Sequence, residues 1–320
     1  MLNNLIFCLN AVVPIFLLML LGMFFMRIGI FDDAFVSKMN SFVFRVALPA
    51  LVFYDLCSED FGRVWDLRFV LFCFLATLVS ILLCVAISCL LRDRRVQGEF
   101  IQVSYRSSAA ILGVSLVTNL YGTSGMTPLM MLGAVPLYNA AAVVVLTIFT
   151  PERNKMKRTG MNRAQVRKTA VGIITNPILI GIFAGLLWSV LRLPMGNILD
   201  HTVQNLARLA TPLGIMAMGA SFNLQKALSG IRTAGLGAFI KLIGLGLIFV
   251  PLAVTLGFRQ DRLVAILIMC CSCSTVSCYV MAREMGHEGT LTSSTVMLTT
   301  FFSAFTLTGW LFVLKTLGLL

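Results

Sequence analysis

Two stretches of this chain set polar side chains inside long apolar runs. Residues 99–122, EFIQVSYRSSAAILGVSLVTNLYG, carry Ser107, Ser108, Gly113 and Ser115 in mid-run. Residues 260–289 carry CCSCSTVSC at 270–278, which places Ser274, Thr275 and Ser277 among thiols. Small polar groups at bilayer depth are costly unless they face protein or a water-filled cavity. The chemistry they offer is non-covalent: hydroxyl donors, and bare backbone amides wherever a helix is interrupted. Breaks near Gly113 and near Cys273 or Ser274 start two half-helices at mid-depth. Their free N–H groups and positive dipole ends suit an anion such as a carboxylate. For each hydroxyl alone, the alternative is back-bonding within its own helix.

Three further side chains bear on the same chemistry. Asn139, inside VPLYNAAAVV, needs a partner at that depth, either a solute or a neighbouring helix. Arg106 lies about one turn from Ser108; it either attracts an anion through its fork of donors or snorkels to the interface. Lys241, in FIKLIG, is an intramembrane charge, read as a coupling group or counter-charge, or else as half of a structural ion pair. Asp and Glu fall at span ends, which favours an anionic over a cationic solute. No GxxxxGK[ST], GxSxG or HExxH motif occurs, so neither ATP-driven pumping nor an enzyme is expected. Cys270, Cys271, Cys273 and Cys278 lie far along the chain from His201 and mostly far from His287, and read as small packing residues; no metal and no cofactor is expected.

Elements able to hold these residues follow from hydropathy. The chain is 58% hydrophobic and 12% charged, against about 25% charged for soluble domains, which predicts an all-α membrane protein. Ten spans are predicted, at 5–26, 38–57, 66–91, 98–122, 127–150, 170–191, 203–223, 232–257, 261–283 and 290–315, the second shortened by Arg45 and Pro49. The N-terminal MLNNLIFCLNAVVPIF reads as the first span, not as a removable leader. The net charge of +12 resides mainly in short loops, so it reports topology in a lipid bilayer and not nucleic-acid binding. Arg92, Arg94, Arg95 and the seven basic residues of 151–169 gather on one side with Arg27, Lys38, Lys226 and Arg283. That side is predicted cytoplasmic, and both termini lie opposite.

The halves, 1–150 and 170–320, resemble each other about the basic linker 151–169. Pro14-Ile15-Phe16-Leu17 parallels Asn176-Pro177-Ile178-Leu179, and RVALPAL at 45–51 parallels RLATPLG at 208–214. An odd number of spans per half makes the second copy enter from the other side, an inverted repeat.

Six stretches taken in order, PIFLLMLLGMFFMRIGIF at 14–31, VALPALVF at 46–53, YRSSAAILGVSLVTNLYG at 105–122, NPILIGIFAGLL at 176–187, TPLGIMAMGASF at 211–222 and STVSCYVMAREMG at 274–286, resemble the auxin efflux carrier family, which includes plant PIN carriers and bacterial malate or malonate carriers. The resemblance implies two inverted five-helix repeats, with scaffold helices 1, 2, 6 and 7, transport-domain helices 3–5 and 8–10, and broken helices four and nine crossing near the midplane. It also implies a homodimer through the scaffold. Together with the residues it predicts an elevator-type secondary transporter of small organic anions, mono- or dicarboxylates such as malate or malonate, in the bacterial cytoplasmic membrane. The alternative is a membrane sensor or regulatory binding protein without turnover. Ser108 and Ser115 stand where family members often carry Asn and Pro, and Cys273 where the ninth span usually carries Pro. The breaks must therefore rest on Gly113, serine-to-backbone bonds and neighbouring helices.

Overall fold

The computed structural model describes residues 2–57, 66–109, 114–150, 171–191 and 193–320, with backbone only for 2–12 and 114–115. The predicted linker 151–169 and Gly113 lie outside the described residues. Among those described, regular structure is entirely helical: α1 (Leu2–Arg27), α2 (Asp33–Phe42), α3 (Leu48–Cys57), α4 (Leu67–Ser88), α5 (Gln97–Tyr105), α6 (Val114–Tyr121), α7 (Thr127–Ile148), α8 (Pro177–Val190), α9 (Asn197–Ala220), α10 (Leu224–Ser229), α11 (Ile231–Phe239), α12 (Leu245–Thr255), α13 (Gln260–Cys271), α14 (Ser277–Glu284) and α15 (Thr290–Thr316).

Among the described residues, five continuous helical stretches are long and apolar enough to cross a membrane: Asp33–Cys57, Leu67–Ser88, Thr127–Ile148, Ile231–Thr255 and Thr290–Thr316. Leu17, Leu20, Phe24, Phe183, Val190, Phe301 and Phe305 stand exposed on the outer helices, as lipid-facing side chains must. The stretch Asp33–Cys57 begins five residues before the edge predicted for the second span and runs through both Arg45 and Pro49. A π turn at Val43–Ala47 lets it do so: the wider loop moves the backbone where a proline ring would crowd the carbonyl one turn earlier. A second π turn, Ile240–Gly244, joins α11 to α12 and carries Lys241. The seventh predicted span likewise starts early, at Asn197, which puts His201 on a helix.

Elements α5 and α13 are different. Nine and twelve residues rise about 14 and 18 Å, roughly half of the ~30 Å hydrocarbon slab. Each stops in mid-structure and is followed by another short helix, α6 and α14.

The apolar residues form two cores. One joins α4–α7, α11–α13 and α15; the other joins α1–α3, α8, α9 and α14, with Ala142, Val143 and Leu146 of α7 and Val296 of α15. Within the second core helices touch backbone to backbone. A β-carbon placed on Gly22 falls on the Met216 carbonyl, and one on Gly219 falls on that of Met19, so α1 and α9 meet through reciprocal glycines. The α3–α8 contact is built the same way, with Gly181 against Pro49 and Gly185 against Phe53. Small residues permit such approach where lipid supplies no hydrophobic drive.

Glu99 is buried at the start of α5 and accepts from Gly289 N at 2.9 Å, Thr292 N at 3.0 Å and Thr292 Oγ1 at 2.8 Å. It caps α15 from across the chain, which accounts for a buried carboxylate at a span end. Glu99→Ala strands these donors, and a loss of about 2–3 kcal/mol in a thermal or denaturant melt is expected.

Candidate functional site

At the end of α5 the chain turns extended at Arg106 (φ −80°, ψ 127°), and at the end of α13 it does so at Ser272 (φ −77°, ψ 166°). The two unwound segments cross and bond to each other. Ser108 N donates to the Cys273 carbonyl at 2.9 Å. Ser274 Oγ donates to the Val103 carbonyl at 2.6 Å, and Gln102 Nε2 donates to that of Cys278 at 2.8 Å. Ser274 N donates to Thr299 Oγ1 of α15 at 3.1 Å. Proline breaks a helix by deleting a donor. Here Ser108 N and Ser274 N stay and receive new acceptors across the crossing, so the unwinding beside them is held by hydrogen bonds. Thr299→Val keeps the volume and leaves Ser274 N orphaned, so a stability loss of about 1–3 kcal/mol is expected on thermal melting.

The ends of the short helices are treated unequally. Carbonyls at the C-terminal end of α13 are covered: Lys241 Nζ donates to Cys270 O at 2.8 Å and Met269 O at 3.3 Å, and Met269 O also accepts from Tyr138 Oη at 3.0 Å and from Ser107 Oγ. The N-terminal end of α14 has no side-chain cap, and the hydroxyls of Thr275 and Ser277 pair beside it at 3.1 Å. Negative helix ends are thus closed by protein donors, while this positive end is open to side chains, with Cys278 N and Tyr279 N bonded only to the Thr275 and Val276 carbonyls of its own turn.

This open end faces a cavity of about 110 Å³ between the two cores. Leu48, Leu51, Val52, Asp55 and Thr211 form one wall; Arg106, Ser107, Ser108, Ala109, Val135, Tyr138, Asn139, Thr275 and Ser277 form the other. Arg106 is buried, so it does not snorkel. Its Nη2 donates to Asn139 Oδ1 at 2.5 Å and its Nη1 to Met281 Sδ at 2.8 Å, both neutral partners. Asn139 Nδ2 in turn donates to Val135 O at 3.0 Å, which fixes the amide's orientation.

Of the residues singled out from the sequence, Arg106, Ser107, Ser108, Asn139, Thr275 and Ser277 therefore share one cavity wall. Ser274 is buried in the crossing, with its hydroxyl on Val103 O, and Lys241 lies beyond the crossing on the α13 carbonyls, with no ion pair among the described residues. Ser115 sits in the first turn of α6. Sequence reasoning missed Tyr138, Gln102 and Thr299. Only Thr299 left a signal, the hydroxyl-rich run of α15, TLTSSTVMLTT.

A family model described as membrane transport protein matches residues 7–311. The chain belongs to this family, the auxin efflux carriers. It is a multi-pass membrane transport protein, and the family points away from an enzyme. Among its relatives, a protein of Rhizobium meliloti (strain 1021) named "Putative malonate transporter" is 25% identical over 319 residues, 96% of each chain. An "Uncharacterized transporter" of Methanothermobacter thermautotrophicus is 22% identical over 314 residues, 95% of this carrier and 98% of the relative.

Proposed function

We propose that this carrier is a secondary transporter of small organic anions, mono- or dicarboxylates, working by an elevator mechanism. The observation that carries the reading is Arg106: a buried guanidinium, bonded to neutral atoms, in the wall of a cavity that also receives an uncapped helix N-terminus. A buried cation with neutral partners is expensive, and an anion relieves that cost. Asp55 contributes one carboxylate to the same cavity, against the hydroxyls, the amide and the guanidinium of the opposite wall. At about 110 Å³ the cavity has the volume of roughly four waters, which suits acids of a few carbons. The malonate named for the rhizobial relative is the first substrate to test.

The same reading takes the helices as ten spans in two inverted repeats, 1–150 and 170–320, joined by a basic cytoplasmic linker at 151–169. Supporting it are the two mid-structure breaks, one per half, and the matched glycine contacts of α1 with α9 and of α3 with α8. Assignment of the first two spans of each half to a scaffold and the rest to a moving domain is supported by the first core, which draws on none of α1–α3, α8 or α9, while α14 and parts of α7 and α15 pack on those helices in the second. Loop charge supports an inner-membrane orientation with both termini away from the cytoplasm, and the family supports a dimer through the scaffold.

Uptake of radiolabelled malonate and malate into proteoliposomes tests the function. Saturable flux of an organic acid is expected. Movement of a cation without any acid overturns the reading, and acid-dependent thermal stabilisation without flux would instead make the protein a sensor.

A further inference from the structure

Broken helices in membrane carriers expose two kinds of end. The C-terminal ends and the unwound carbonyls beside them are where sodium ions and protons bind. In this chain the carbonyl end of α13 is covered by a side chain from another part of the fold. Lys241 is completely buried, and its Nζ sits 2.8 Å from Cys270 O and 3.3 Å from Met269 O. Among the described residues the thiols of Cys84, Cys270, Cys271 and Cys273 lie around it, and the Tyr138 phenol shares the Met269 carbonyl with it. A lysine kept for an ion pair faces a carboxylate; this one faces the last carbonyls of a helix, where the dipole is negative. The π turn at Ile240–Gly244 presents it there, and Tyr138 and Ser107 complete the ring of donors on Met269 O.

We propose that Lys241 supplies, as a tethered ammonium, the cation that this carbonyl cluster would otherwise take from solution, so that the carrier runs without a coupling sodium ion and removal of the ammonium creates a monovalent-cation site. The inference concerns the opposite helix ends from those assigned to the anion, and it stands or falls whichever solute is carried.

The test is the melting temperature of the purified full chain in equal concentrations of sodium, potassium, ammonium or choline chloride, with no organic acid present. Wild type is expected to melt at one temperature in all four. Lys241→Ala opens a space beside the carbonyls; it is expected to melt lower in choline and to recover by about 3 °C or more, saturably, in at least one small cation. Lys241→Met fills that space with an apolar chain and is expected to stay low in every salt. Lys241→Arg keeps a cation within reach and is expected to ignore the salt. Sodium-dependent stability of wild type or of Lys241→Arg overturns the proposal, because the site is then not filled. So does a Lys241→Ala protein that is as stable as wild type in choline, equally depressed in all four salts, or folded in none of them.

Discussion

Replacing Arg106 with methionine abolishes anion-dependent stabilisation and flux while leaving the unliganded protein at least as stable as wild type. Among the described residues the guanidinium is the one cationic group in the cavity wall, and its present partners are an amide oxygen and a thioether. A carboxylate bound beside it makes charge-assisted bonds that an apolar side chain cannot replace. Their loss costs about 3 kcal/mol, roughly a hundredfold in affinity. Stability moves the other way, since a buried charge bonded to neutral atoms opposes folding and an apolar side chain of similar length removes that cost. Arg106→Lys separates charge from geometry: it keeps the cation but loses the planar fork that reaches Asn139 and Met281 together, so an intermediate affinity is expected. Titration of malonate against melting temperature reads both effects in one experiment. A methionine variant that still responds to the acid like wild type removes Arg106 from the site.

The second large effect is expected at the α1–α9 contact. Gly219→Val forces a branched side chain onto the Met19 carbonyl, a backbone atom that cannot rotate away. The helices must separate along the seam, at a cost of about 3 kcal/mol or more, and a fall of about 5–10 °C in melting temperature is expected. Reciprocity adds a sharper consequence. Gly22 meets the Met216 carbonyl on the same pair of helices, so one displacement accommodates both β-carbons. Gly22→Ala and Gly219→Ala together should therefore cost clearly less than the sum of the singles. Simple additivity in the melts would show two independent contacts in place of one shared seam.

Much of the architecture was open to reading because a bilayer constrains sequence strongly. A slab about 30 Å thick sets the length of an apolar run, so the helices lie close to the hydropathy peaks. The interruptions that open at Arg106 and at Ser272 showed as serine and cysteine in places where leucine would be free of cost, though the first opens seven residues before Gly113, where the break was expected. The starts of the second and seventh spans, at Asp33 in place of 38 and at Asn197 in place of 203, were misplaced because exposed polar helical ends look like loop, while Arg45 sits inside its helix on a π turn. The wall residues Arg106, Ser107, Ser108, Asn139, Thr275 and Ser277 were legible for the same reason as the breaks: polar groups at depth need a use.

What the sequence by itself determined is an all-helical membrane chain interrupted twice, because local hydropathy and the solvation of single groups decide those features. Which polar group meets which was settled only in three dimensions. Gln102 finds a carbonyl 176 residues away, and Tyr138 one that is 131 away. Ser274 leaves the cavity for the crossing, and Lys241 covers the α13 carbonyls with no carboxylate partner among the described residues. A hydroxyl or an ammonium at bilayer depth must find a partner, but its own neighbours in the chain do not say which. The crossing of two unwound segments does, by bringing their freed backbone groups within reach of each other.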